Sequence, residues 1–303
     1  MNLQFLVDGL VAGVVIGLGA VGVTLTYAVL RFANFAHGEF ITAGAYLTLT
    51  LSGLIGATLT GTAIPLAPLT ATGAMLITLP LGLALTGLLA LGLDAVLFRP
   101  LRAKGEAIVA VMASFGASLA LRSIIEAVFS SRPAYFTRAL QIAHPFGAGL
   151  RATPNQVAVI LAAGAVAVAV HLLLTRTRTG RAMRAVSENP ALAQVGGIDV
   201  GAIIRLTWLL GGALAGLAGA VVGLLVQIRP FMGFDLLLPL FAAAILGGIG
   251  SVPGAMLGGL VVGLSEAGAV ALVGAPWRGA VAFAILILVL LVRPAGLFGT
   301  RAR

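Results

Sequence analysis

The sequence predicts an all-α polytopic membrane protein with about eight to nine transmembrane segments, some of them broken or re-entrant. Three observations carry this. Only 9% of the 303 residues are charged and the mean hydropathy is +1.14, whereas a soluble domain carries about 25% charge. Several apolar runs exceed the ~20 residues that cross a bilayer. Glycine and proline interrupt those runs in clusters, as broken membrane helices require.

The elements follow in order. Apolar segments fall near 5–30, 38–57, 68–97, 107–130, 155–174, 203–228, 236–273 and 277–292. The first lacks a basic leader and is too long for a signal peptide, so it reads as a retained span. Segment 236–273 is too long for one helix, and "GGIGSVPG" at 247–254 divides it in two. Residues 1–303 form one transmembrane domain, whose longest polar connector is 175–202.

Charge sets the expected orientation. With the 175–202 connector inside, Arg31, Arg99, Arg102, Lys104, Arg176, Arg178, Arg181, Arg184, Arg205, Arg293, Arg301 and Arg303 are cytoplasmic. Arg132, Arg138, Arg151, Arg229 and Arg278 stay outside, and Arg122 falls within a span. That is twelve against five, with the N-terminus outside and the C-terminus inside. The net charge of +9 is thereby a membrane-topology signal and not a nucleic-acid-binding surface.

Internal duplication is a further expectation. "FANFAHGEFITAGAYL" (32–47) and "FAAAILGGIGSVPGAMLGGL" (241–260) each break an apolar stretch and resume with small residues. Broken helices in corresponding halves point to a solute pathway. Glycines spaced by four at Gly13/Gly17, Gly212/Gly216, Gly219/Gly223, Gly254/Gly258 and Gly259/Gly263 let helix backbones approach closely, within the chain or between subunits.

Polar residues inside the spans are the candidates for function. Asn34, His37 and Glu39 flank Gly38 in "NFAHGE". Two readings are open: polar groups facing a path, or a helix-breaking turn whose side chains cap backbone groups. Arg122 and Glu126 stand four apart and are expected to pair on one helical face. Glu266 has no evident partner, and Asp8 and Asp94 sit near helix ends.

In the connector, Asn189 is placed to cap a short helix with Pro190 at its first position, and Gly196 or Gly197 to end it. Ala191, Leu192 and Val195 would form its apolar strip. Its two candidate occupants are a partner protein and anionic lipid headgroups.

Three absences bound the chemistry. The sequence has no phosphate-binding loop, no cluster of metal ligands and no nucleophile elbow. A non-catalytic chain is expected, and any ATP hydrolysis belongs to another subunit. Its zero cysteines exclude disulfides and thiolate metal sites.

At these motifs the chain resembles a family: the permease subunit of bacterial branched-chain amino-acid ABC importers of the Liv type. The resemblance rests, in order, on "NFAHGEF.TAGAY" near 34, "GRAMRAVSENPALAQVGGID" near 181, "LGGALAGLAGAVVG" near 210, "AILGGIGSVPGAMLGGLVVGLSEA" near 244 and "RPAGLFG" near the end. The form "NFAHGE" is more like the first of the two non-identical permeases. The resemblance implies a second homologous permease, two cytoplasmic ATPase subunits carrying ATP and Mg, a periplasmic substrate-binding protein and the inner membrane, with no cofactor on this chain. It also implies that 181–198 is the ATPase-coupling segment, through Arg181, Arg184, Ala185, Glu188, Asn189, Pro190, Ala193, Gly196, Gly197 and Ile198. Asn34, His37, Gly38, Glu39, Gly247, Gly248, Gly250, Ser251 and Glu266 are the candidate translocation-path residues. Related importers take urea or short amides, so the solute class is branched-chain or related amino acids, or such amides. An ion-coupled secondary transporter and a passive channel are the alternatives.

Overall fold

The computed structural model describes residues 3–59, 66–102, 105, 107–139, 141–147, 150–293 and 295–298. It is almost entirely helical. The order is α1 (Gln4–Leu30), α2 (His37–Thr58), α3 (Gly73–Leu93), a π-helical turn (Asp94–Phe98), α4 (Arg99–Arg102) and α5 (Ala107–Phe129). A hairpin follows, β1 (His144–Gly147) and β2 (Leu150–Ala152), then α6 (Pro154–Arg176), α7 (Arg178–Glu188), α8 (Pro190–Val195) and α9 (Val200–Leu225). The chain ends with α10 (Met232–Gly247), α11 (Val252–Leu272), a 3-10 turn (Ala275–Trp277) and α12 (Arg278–Val292). The antiparallel hairpin, which the sequence reading does not foresee, pairs His144 with Ala152 and Pro145 with Arg151. It lets a polar connector satisfy its own backbone groups.

Among the described residues, eight helices are long and apolar enough to cross a membrane, and α10, of 16 residues, is a shorter apolar one. The expected break in 236–273 falls at 248–251, where Gly248 and Gly250 have φ of 94° and 92°. Ser251 caps α11 by accepting from Gly254 N at 3.1 Å, with Pro253 in the first turn. Caps also set other starts. Thr153 and Gln156 close a capping box on α6. Asp199 accepts from Ala202 N at 2.8 Å, which starts α9 three residues earlier than hydropathy alone suggests.

The bundle has an inner set and an outer set. Helices α1 and α9 are largely buried, while α6 and α12 leave most of their length exposed, as lipid-facing helices do. Helix α1 runs antiparallel along α11, with Gly13 against Leu260 and Gly17 against Met256. Helix α3 does the same along α9, with Thr86 against Gly216 and Ala90 against Gly212. Every one of the five spaced glycine pairs packs against this chain's own residues.

The packing has a two-fold character. Helix α2 lies on α3 and α9, α10 lies on α11 and α1, and α1 meets α9 as α2 meets α10. Exchanging α1, α2 and α3 with α9, α10 and α11 leaves these pairings unchanged. The sequence reading matches the start of α2 with the glycine-rich break before α11. Packing matches it instead with the start of α10: Gly38 and Gly233, each the second residue of its helix, lie against each other.

Both helices begin inside the bundle. His37 packs against Gly22 of α1, eight residues before its end at Leu30. That is about 12 Å of helix. The chain leaves α1 at Arg31, with a left-handed φ of 58°, and turns back into the bundle before α2 starts.

The basic residues gather at the ends. Arg31 Nη2 donates to Ser187 O and Glu188 O at 2.6 and 2.8 Å, so the end of α1 and the α7–α8 segment share one face. The α10–α11 break and the C-terminal segment are joined there by Leu297 N donating to Leu246 O. The other end holds the hairpin and the start of α1, joined by Gln4 Nε2 donating to Arg151 O at 2.8 Å. Lys104, Arg301 and Arg303 lie outside the described residues.

Candidate translocation and coupling sites

The polar stretch 34–39 is held from two sides. Asn34 Oδ1 accepts from Ala36 N at 3.1 Å, closing the turn that leads into α2. Its carbonyl accepts from His37 N at 3.2 Å. Helix α5 then presents Ser114, Ser118 and Arg122, spaced by four on one face. Phe35 N donates to Ser114 Oγ at 3.1 Å. Ser118 Oγ and Arg122 Nε donate to Glu39 Oε1 at 3.2 Å each, and Arg122 Nη2 donates to it at 2.8 Å.

Asn34, His37 and Glu39 are 5%, 1% and 0% exposed, so none reaches the surface of this chain. The expected Arg122–Glu126 pair is not the one that forms. Arg122 turns to Glu39 because a buried carboxylate in the bundle needs a cation more than a partly exposed Glu126 does. On its other side the guanidinium lies 4.2 Å from the Phe234 ring centroid and 5.0 Å from that of Phe231. Arg122 therefore touches the start of α2 and the start of α10 at once. The polar stripe 114–118–122 in an otherwise apolar helix is the sequence signal for this, and the sequence reading misses it.

Gly247, Gly248, Gly250 and Ser251 form the tight turn between α10 and α11. Gly250 N donates to Thr24 Oγ1 at 2.7 Å, tying the turn to α1. A Cβ on Gly247 would strike the backbone of Gly254. Glu266, without an evident partner in sequence, finds one on the next helix: Arg278 Nε donates to Oε2 at 2.8 Å. Asp94, set aside as a helix-end residue, is 3% exposed and pairs with Arg102, whose Nη2 donates to Oδ2 at 3.1 Å.

The connector folds as two helices at one end of α1. Met183 and Val186 of α7 are buried, which seats that helix on the bundle. Asn189 Oδ1 accepts from Leu192 N at 3.0 Å, Pro190 opens α8, and Gly197 follows it with φ of 82°. Of the coupling candidates, Arg181, Arg184, Glu188, Asn189, Pro190, Gly196 and Gly197 are exposed. Ala185 and Ile198 are half-buried and Ala193 is buried, so these three anchor the segment from within. Leu192 and Val195 stand 68% and 86% exposed on α8.

A broken-helix bundle with an apolar knuckle projecting from one face is what a family comparison must fit. A family model described as branched-chain amino acid transport system / permease component matches residues 5–290. The chain belongs to this family. This permease is 34% identical to the high-affinity branched-chain amino acid transport system permease protein BraD of Pseudomonas aeruginosa, over 98% of this chain and 95% of that one. It is 32% identical to the LivH permease of Escherichia coli K12 with the same coverage. A probable LivH of Methanocaldococcus jannaschii matches at 32% over 82% of this chain and 74% of its own. No solved structure matches.

Proposed function

We propose that this permease forms, with a second homologous permease, the path by which an ATP-driven importer moves branched-chain or related amino acids into the cell. Two cytoplasmic ATPase subunits, holding ATP and Mg, and a periplasmic substrate-binding protein complete the assembly. The chain itself is non-catalytic and sits in the inner membrane with its N-terminus outside and its C-terminus in the cytoplasm. The observation that carries this reading is the near full-length identity to permeases of high-affinity branched-chain amino acid systems.

The α7–α8 segment supports the division of labour. It stands on the face that gathers Arg31, Arg176, Arg178, Arg181 and Arg184, the face that the charge rule makes cytoplasmic. Leu192 and Val195 there are apolar side chains offered to water, suited to an apolar cleft on an ATPase subunit. Nucleotide-driven movement of that partner reaches the bundle through α7, which packs on α6 and α9. Only contacts that differ between two states can drive such a change.

The polar stretch 34–39 is the hub on which α2 and the shorter α10 cross. The path candidates Asn34, His37, Gly38 and Glu39 act there by fixing that crossing, and Gly247, Gly248, Gly250 and Ser251 by fixing the turn below it.

The test is purification of the tagged chain from its native membrane in mild detergent, followed by reconstitution. A second permease, a Walker-motif ATPase and ATP-dependent amino-acid uptake are expected. Uptake by this chain alone, driven by an ion gradient or by none, would instead make it a secondary transporter or channel. Uptake of urea or a short amide in place of an amino acid would move the solute class.

A further inference from the structure

At the face opposite α7–α8 the bundle forms a partly open cavity of about 1060 Å³. Its walls come from α1, the start of α6, the end of α9, α10, α11 and the start of α12, together with the connectors around 135–141 and 226–229. Its lining includes the aliphatic side chains of Val11 and Val15 of α1 and of Leu236 of α10. The lining also carries charge of both signs. Glu266 is 2% exposed, its Oε2 accepts from Arg278 Nε at 2.8 Å, and its Oε1 has no partner among the described residues. Arg278 is 55% exposed in its side chain, and its two Nη groups make no hydrogen bond among the described residues.

A buried carboxylate oxygen without a donor is costly unless something fills the place. Beside it stand guanidinium Nη donors with no partner among the described residues, and the same cavity is lined by aliphatic side chains. That combination matches a small zwitterion with an aliphatic side chain: an ammonium group for Glu266, a carboxylate for Arg278 and a branched hydrocarbon for the wall.

We propose that this cavity is a transient subsite for the solute, in which Glu266 takes the α-ammonium group of an aliphatic amino acid and Arg278 its carboxylate. The assignment rests on the permease reading above and adds a place and residues to it. Arg278 covers the carboxylate when the cavity is empty. As the ammonium group arrives it takes Glu266, and the guanidinium swings out to the solute's carboxylate, so no charge is left unpaired. Such an exchange binds weakly, as a site that must release its solute onward requires.

The test uses the whole importer in phosphatidylcholine nanodiscs, whose lipid has no primary ammonium group, without the binding protein. Ligand-observed saturation-transfer NMR is recorded with leucine, with 4-methyl-2-oxopentanoate, which lacks the ammonium group, and with a short-chain phosphatidylethanolamine. Leucine is expected to give a signal and the keto acid none. Glu266→Gln is expected to abolish the leucine signal and lower binding-protein-dependent uptake by about tenfold or more. Val15→Phe, which narrows the aliphatic wall and leaves both charges in place, is expected to reduce the signal from leucine more than that from alanine.

Equal signals from leucine and its keto acid, or a leucine signal indifferent to both variants, would overturn the subsite while leaving ATP-driven uptake standing. A Glu266-dependent signal from the phosphatidylethanolamine but not from leucine would assign the cavity to a lipid headgroup and also overturn it. Loss of all ATP-driven uptake in the unaltered complex would remove the permease reading, and the subsite with it.

Discussion

Gly38 and Gly233 lie back to back where two helices begin inside the bundle. A Cβ on Gly38 would stand 2.6 Å from Gly233 O, and a Cβ on Gly233 would strike Gly38 O. No side chain fits at either position, so the crossing of α2 and α10 is specified by what is missing. Thr42 Oγ1 adds a polar tie, accepting from Gly233 N at 3.1 Å.

Gly233→Ala should therefore destabilise the permease by about 1–3 kcal/mol, the usual cost of overpacking a tight contact. Gly53→Ala, where an added Cβ meets nothing within 4 Å, is the matched control and should be neutral. Thermal unfolding in detergent measures both. Equal melting of the two variants would mean that α2 and α10 do not cross at this glycine pair.

The Glu39–Arg122 pair makes a second prediction. Removing either partner leaves an uncompensated buried charge, at a cost of about 3–5 kcal/mol. Glu39→Leu and Arg122→Leu should each be strongly destabilising, and the double variant should be milder than the sum of the two. A double-mutant cycle on detergent melting reads the coupling. Additive effects would show that the two side chains do not depend on each other.

What is legible in the sequence is what is written locally. Asn189, Pro190 and Gly197 spell a cap, a first turn and a stop within nine residues, and α8 follows from them. The helix breaks at 31–36 and 248–251 are likewise marked nearby in the sequence, the first by Arg31, Asn34, His37 and Gly38 and the second by Gly248, Gly250 and Ser251. Partners far apart in the chain are not legible. Arg122 sits four residues from Glu126 yet pairs with Glu39, 83 residues away, because the bundle and not the helix decides which carboxylate is buried. Glu266 finds Arg278 only once α11 and α12 are folded side by side. The match between the starts of α2 and α10 is carried by one glycine in each, too little for a sequence comparison to detect.

At the proposed coupling segment, geometry predicts uncoupling without unfolding. Asn189→Ala removes the α8 cap, at a local cost of about 1 kcal/mol, and Pro190→Gly loosens the first turn. Both residues are exposed, so the bundle should melt normally. Solute uptake should fall several-fold while the assembled complex still hydrolyses ATP. A parallel fall of both rates would point to loss of assembly, which size-exclusion chromatography of the complex detects separately.

The central claim is that α8 is the surface on which an ATPase subunit docks. The chain has no cysteine, so Leu192→Cys places a single thiol on the exposed knuckle. Leu161→Cys, at a position 68% exposed on the lipid-facing α6, is the control. A short thiol–amine cross-linker applied to native membranes should join the Leu192→Cys variant, and not the Leu161→Cys variant, to one Walker-motif ATPase. Its yield should change when nucleotide is trapped. A Leu192→Cys variant that cross-links to no ATPase, in membranes where ATP-driven uptake persists, would contradict the claim.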